Sequence, residues 1–330
     1  MNDHSKKHPL NSRQNAELTG VETASEIGGA GKQLWLNCFR FLRRLFIVTI
    51  GVYLLMIGCL MLFENRLVYP GSKYPIGNWE SEEQGFTEVE FAAADDTKLF
   101  GWYLPWRGLR SEETGSEASV SVRPRTILHC HGNGENIAQV GAYTVKQFSE
   151  VLQANVFSFD YRSYGKSEGS PTENGVKQDA DAALAWVCQQ DGVQPKDVII
   201  VGHSIGGGLA CYLAKKHDCK ALILQRTFSS LPDAAARKFW MFPVHWVMRN
   251  QLNSAEAIKS CDVPLFQSHG EADTLVPINL GKKLFKNSPS TNKKLFSVPG
   301  MTHWGRLPDR YWVELEAFIS QVDSSTPAAE

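Results

Sequence analysis

The stretch Val198-Ile199-Ile200-Val201-Gly202-His203-Ser204-Ile205-Gly206-Gly207-Gly208 constrains this chain more than any other. A β-branched run stops at a Gly-x-Ser-x-Gly pattern, and a helix-competent segment, Leu209 to Lys216, follows. That is the sequence form of a strand, a strained turn presenting a serine, and a helix. Gly202 and Gly206 belong there because a turn this tight leaves no room for side chains against the neighbouring strand and helix. The question for the remaining residues is whether they supply what a nucleophilic Ser204 needs.

Before this stretch the chain changes character twice. Residues 1–44 form a tail, and its first 31 residues are too polar to bury enough surface to offset their ordering entropy. Gly28-Gly29-Ala30-Gly31-Lys32 has neither the preceding strand nor the full spacing of a phosphate-binding loop. Residues 45–63 are uncharged and long enough to cross a bilayer core of about 30 Å as a helix. No polar face interrupts the run, as one would in a soluble core helix. No small-residue cleavage site follows it, as one would behind a signal peptide. Arg40, Arg43 and Arg44 precede the run, and only Arg66 and Lys73 follow closely. This bias predicts a single-pass anchor with a cytoplasmic N-terminus and the bulk of the chain on the other side.

Residues 64–84 read as a connector. From 85 to 322 the pattern is that of one domain, and 323–330 form a polar, disordered end. Phe86 to Ala92 and Leu99 to Leu104 predict an antiparallel hairpin around the turn at Asp95-Asp96-Thr97. Residues 111–121 are Ser-, Glu- and Gly-rich and predict a solvated loop. Thereafter short apolar strands, beginning near Thr126, Val156, Val198, Ala221, Leu265 and Lys294, alternate with helical segments. This predicts an α/β fold, a mostly parallel sheet with helices on both faces. Residues 232–259 stand out as a helical, aromatic insertion.

Functional groups of such a sheet gather beyond the carboxyl ends of its strands. Asp273 follows the strand at 265–268 and His303 follows the strand at 294–298, so the chain order is serine, acid, histidine. Serine needs a base to take its proton, and histidine, with an ordinary pKa near 6.5, is suited to that. Asp273 would hold the imidazole in one tautomer. Glu271 is the competing acid, but it lies beside the strand end rather than in the following turn. His203 fills space within the turn, and His131 and His269 shape loops. An oxyanion needs amide donors: Ile205, just after the serine, and Asn133 in the loop His131-Gly132-Asn133-Gly134. Phe239, Trp240, Phe242 and Trp246 mark 232–259 as a small lid over an apolar substrate.

Composition closes off other classes. A net charge of −1 gives no general attraction to nucleic acid. Seven cysteines show no metal-ligand spacing, while Cys188, Cys219 and Cys261 leave room for one disulfide. No metal or organic cofactor is called for.

From Leu67 to Ser320 the chain resembles the serine α/β-hydrolases. More narrowly, it is similar to their membrane-anchored branch, which includes monoacylglycerol and lysophospholipid lipases and protein depalmitoylases. The resemblance rests on Asp96 to Pro105, His131-Gly132-Asn133, Asp160 to Gly169, Gly202 to Gly207 and His269-Gly270-x-x-Asp273. It departs at Ser163, where that branch usually has Gly, and at Gln225-Arg226, where Ser-Pro is common. It implies an α/β-hydrolase fold and cleavage of an ester or thioester of a lipid-like acyl substrate. A peptidase on the same triad and a catalytically idle scaffold are the alternatives.

Overall fold

A computed structural model describes the backbone of residues 14–108 and 123–325, with side chains described from residue 32 onward apart from Gly141 and Ala142. The loop expected at 111–121 and the last five residues lie outside the described residues. In chain order the elements are α1 (Gln14–Val68), β1 (Thr87–Ala92), β2 (Lys98–Leu104), β3 (Arg125–Cys130), α2 (Ile137–Val140), α3 (Lys146–Leu152) and β4 (Ala154–Asp160). Then come α4 (Glu173–Asp191), β5 (Val198–His203), α5 (Ile205–Lys216), β6 (Ala221–Gln225), α6 (Leu231–Lys238), α7 (Val244–Val247) and α8 (Ser254–Ala257). β7 (Leu265–Gly270), α9 (Ile278–Asn287), β8 (Lys293–Val298) and α10 (Asp309–Ser325) complete the chain.

The chain divides into two units, 1–60 and 61–330. The first is helical from Gln14, so the helix starts well before the apolar run, within the stretch expected to be unstructured. Among the described residues one helical stretch, 32–68, is long and apolar enough to cross a membrane. Its large apolar side chains are exposed, Leu34 by 72% and Leu55 by 67%.

The second unit is built on an eight-stranded sheet in the order β1-β2-β4-β3-β5-β6-β7-β8. β1 and β2 form the expected antiparallel hairpin, β2 runs antiparallel to β4, and all other neighbours are parallel. Successive strand residues point to opposite faces, and β5 shows the consequence. Val198 and Ile200 join the apolar cluster containing Leu209 and Leu213 of α5. Ile199 and Val201 join the one containing Phe148 of α3 and Leu315 of α10. Both faces of the sheet are therefore buried, which is why its central strands are continuously apolar.

The connector at 64–84 is not a loose linker. α1 continues through it to Val68, and Tyr69 is buried. Ser72 Oγ donates to Gly134 O at 2.7 Å, and Asn136 Nδ2 donates to Ile76 O at 2.7 Å. The helical insertion at 232–259 consists of three short α-helices. Pro243 and the extended residues from Met248 onward interrupt it. All seven cysteines are free.

Candidate active site

β5 is flanked on both sides by parallel strands, β3 and β6. At its end Ser204 adopts φ 52° and ψ −116°, a conformation that side-chain-bearing residues avoid. A Cβ on Gly202 would come within 2.6 Å of Gly206 O, and one on Gly206 within 2.1 Å of Cys130 O. Only glycine fits at either position. The strained turn is held from β6: Ser204 N donates to Gln225 O at 2.9 Å, and Thr227 Oγ1 donates to Ser204 O at 2.7 Å.

The loops after β7 and β8 bring the other two groups to the serine. His303 Nε2 lies 3.2 Å from Ser204 Oγ. His303 Nδ1 lies 2.7 Å from Asp273 Oδ2. The second carboxylate oxygen, Oδ1, accepts from the amides of Leu275 at 3.0 Å and Val276 at 2.8 Å, which fixes the plane of the carboxyl. Ser204, Asp273 and His303 are all buried. Burial alone raises the Asp273 carboxyl, but the hydrogen bonds from His303 and the Val276 amide outweigh it and leave its pKa below the ordinary value. Glu271, the competing acid, is exposed.

Ile205 opens α5, where amides lack an intrahelical acceptor. Asn133 is fixed by its side chain: Nδ2 donates to Val68 O at 2.7 Å, and Oδ1 accepts from Tyr164 Oη at 2.6 Å. The three histidines expected to shape the site are placed as packing groups. His131 stacks on Tyr161 with ring centroids 4.5 Å apart. His269 Nε2 is 2.7 Å from Val276 O, bracing the turn that carries Asp273. His203 stacks against His303 at 5.7 Å. Burial, then the nearby Arg226 and His303, hold the His203 imidazole well below its ordinary pKa, so it stays neutral. Among the described residues no group of three or more His, Cys, Asp or Glu is arranged to hold a metal ion.

Two residues gain a place that the sequence did not assign them. Arg226, a departure from the family pattern that follows a strand on the active-site side, is buried and donates from Nη1 to the carbonyl oxygen of His303 at 2.7 Å. Glu135, in the loop after β3, has its carboxyl raised by burial, with His131 and His303 pulling the other way. Of the aromatic candidates, Phe239 and Phe242 are half-buried, whereas Trp240 and Trp246 are 77% and 89% exposed.

A buried serine on a strand–turn–helix junction, facing a histidine backed by a carboxylate on a mostly parallel sheet, defines the hydrolase class of site. The profile of the family described as "alpha/beta hydrolase fold" matches residues 125–327, and the chain belongs to that family. It is 30% identical over 273 residues to the uncharacterized protein YfhR of Escherichia coli K12, covering 81% of this chain and 88% of that one. It is 30% identical over 306 residues to protein bem46 of Schizosaccharomyces pombe, covering 88% and 97%. An uncharacterized membrane protein of Saccharomyces cerevisiae is 28% identical over 267 residues, 78% of this chain and 89% of that one. Among solved structures, the Pf2001 esterase of Pyrococcus furiosus superposes with a TM-score of 0.58 at 21% identity, covering 76% of this chain and 98% of that one.

Proposed function

We propose that this protein is a membrane-anchored serine hydrolase that cleaves carboxylic ester or thioester bonds of an acyl, lipid-like substrate. The observation carrying the reading is the unbroken contact series from Ser204 Oγ to His303 to Asp273. In the first half-reaction Ser204 Oγ bonds to the acyl carbon while its proton passes to His303 Nε2. The carbonyl oxygen becomes an oxyanion held by the Ile205 and Asn133 amides; losing one such donor typically costs about 10²–10³ in rate. Collapse breaks the bond to the alkoxide or thiolate, which leaves with the proton from His303. Water then repeats the sequence on the acyl-enzyme, releasing the acid and restoring Ser204. Asp273 keeps Nδ1 protonated and stabilises the imidazolium in both halves.

The P. furiosus neighbour is an esterase, which supports an ester over other acyl bonds. Half-buried Phe239 and Phe242 supply apolar surface for the acyl chain. The apolar helix and the description of the yeast relative as a membrane protein support the anchor. The arginines at 40, 43 and 44 support a cytoplasmic N-terminus, with the hydrolase domain on the other side. The test is turnover of a p-nitrophenyl ester series of increasing chain length. Wild type is expected to hydrolyse it with a preference for longer chains, and Ser204→Ala to lose at least about 10³ in rate. Equal turnover by the two proteins would overturn the reading.

A further inference from the structure

One surface of the second unit is apolar without being part of the core. Trp240, Met241 and Trp246 are 77%, 60% and 89% exposed within ten residues of chain. Three exposed large apolar side chains so close together are costly in water and mark a contact surface. They are flanked by the exposed cations Arg237, Lys238 and Arg249.

The same segment is fixed to the end of the apolar helix. Glu64 is the first residue after the uncharged run, and it is buried. Its Oε1 accepts from the amide of Arg249 at 2.8 Å, the amide of Asn250 at 2.7 Å and Asn250 Nδ2 at 2.8 Å. Its Oε2 accepts from Arg249 Nε at 3.1 Å. Arg249 Nη2 also donates to Met61 O, inside the apolar run. The Glu64 carboxylate is buried and Arg249 is exposed, so opening this contact would leave the carboxylate without its donors.

We infer that 239–248 is a second membrane contact, in which Trp240 and Trp246 lie in the headgroup region of the bilayer that the apolar helix enters. The inference rests on the anchor reading, but it goes further and assigns a depth to the catalytic unit's own surface. If the run ending at Phe63 spans the hydrocarbon, Glu64 sits at the boundary, and the clamp brings Arg249 and Asn250 to the same level. Trp246 is three residues from Arg249, at most about 10 Å along the chain. The interfacial zone is about 5–10 Å deep, so Trp246 is within reach of it. Tryptophan concentrates in that zone because its ring is apolar and its N–H remains wet. The adjacent cations Arg237 and Lys238 add attraction to anionic headgroups. A bilayer therefore suits this surface better than an uncharged protein face.

The experiment uses the full chain in phosphatidylcholine/phosphatidylserine vesicles, with and without acyl chains brominated at the 6,7 position as a shallow quencher. Tryptophan emission of wild type is compared with that of Trp240→Phe/Trp246→Phe, which keeps the surface apolar and removes two of the nine tryptophans. The inference expects the bromolipid-quenched emission to fall clearly in the double variant, and iodide in the aqueous phase to quench the two proteins alike. Unchanged bromolipid quenching, with an iodide-sensitive component lost in the variant, would place both rings in water or against a protein partner and overturn it. Alkaline carbonate extraction of wild type separates this failure from that of the anchor. A chain retained in the pellet with unchanged quenching overturns only the second contact, whereas a chain released to the supernatant overturns the anchor reading and this inference together.

Discussion

The guanidinium of Arg226 donates from Nη1 to the backbone carbonyl of His303 at 2.7 Å, tying the loop after β6 to the loop that carries the proposed base. Arg226 itself sits at φ 50°, and its amide donates to Ser268 O at 2.9 Å, so the side chain springs from a backbone held on both sides. Among the described residues it makes no salt bridge. Its placement makes it a positioning residue for His303, one loop away from the chemistry.

Removing that tie is expected to misplace the imidazole, and small misplacements in a reacting group cost up to about 10² in rate. Arg226→Met should lower kcat about ten- to a hundredfold with a smaller change in KM. The check is steady-state kinetics on a soluble ester, with circular dichroism melting to show that the fold persists. A kcat equal to that of wild type would remove Arg226 from the machinery.

Asp273 makes a prediction in pH. A carboxyl whose pKa is lowered on folding contributes stability that is fully present above its unfolded value, near 3.9, and is lost as pH falls through the folded value. Asp273 is lowered in this way by His303 and the Val276 amide, against the effect of burial. Asp273→Asn should therefore be less stable than wild type at pH 7, and the gap should narrow as pH falls below about 4. Urea unfolding at pH 7, 5 and 3 measures it; a gap that does not change with pH contradicts the account. The same variant should lose about 10⁴ in kcat, because the amide favours the wrong imidazole tautomer.

Ser163 stands at φ 75°, a left-handed conformation that costs a side-chain-bearing residue about 1–2 kcal/mol. Glycine avoids that cost but loses about 0.5–1 kcal/mol through its freer unfolded chain. Ser163→Gly should stabilise the protein by up to about 1 kcal/mol, or about 2–4 °C in Tm for a domain of this size. Thermal melting checks it, and a lower Tm would contradict the strain.

Arg162 is buried with Asp179: its Nε and Nη2 donate to Asp179 Oδ1 at 2.9 and 2.8 Å, and its amide donates to Oδ2 at 2.8 Å. Nη1 donates to Asp95 at 2.9 Å. Asp179→Asn leaves a buried cation with one partner fewer and should cost about 3–5 kcal/mol. Chemical denaturation of the two proteins measures the difference.

What the sequence revealed follows from which residues leave no choice. Gly202 and Gly206 are dictated by atoms 2.6 and 2.1 Å from where a Cβ would stand, so the turn around Ser204 could be read directly. Parallel strands buried on both faces write continuous apolar runs, and these located β5 and β7 and hence Ser204 and the loop bearing Asp273. Less was legible where contacts are long-range. Arg226 reaches His303 across 77 residues, and no local pattern announces that. Within the aromatic run 239–248 no local pattern separates Phe239 and Phe242, which are half-buried, from Trp240 and Trp246, which stand exposed. The hydrogen bonds of the connector go to Gly134 and Gly165, far along the chain, so no local pattern marks them.

The central claim, that Ser204 is the nucleophile activated by His303, is tested most directly by labelling the full chain with a fluorophosphonate and locating the adduct by peptide mass spectrometry. The account predicts one phosphonylated residue, Ser204, with labelling abolished in Ser204→Ala and strongly slowed in His303→Ala. An adduct on another residue, or undiminished labelling of Ser204→Ala, would contradict it.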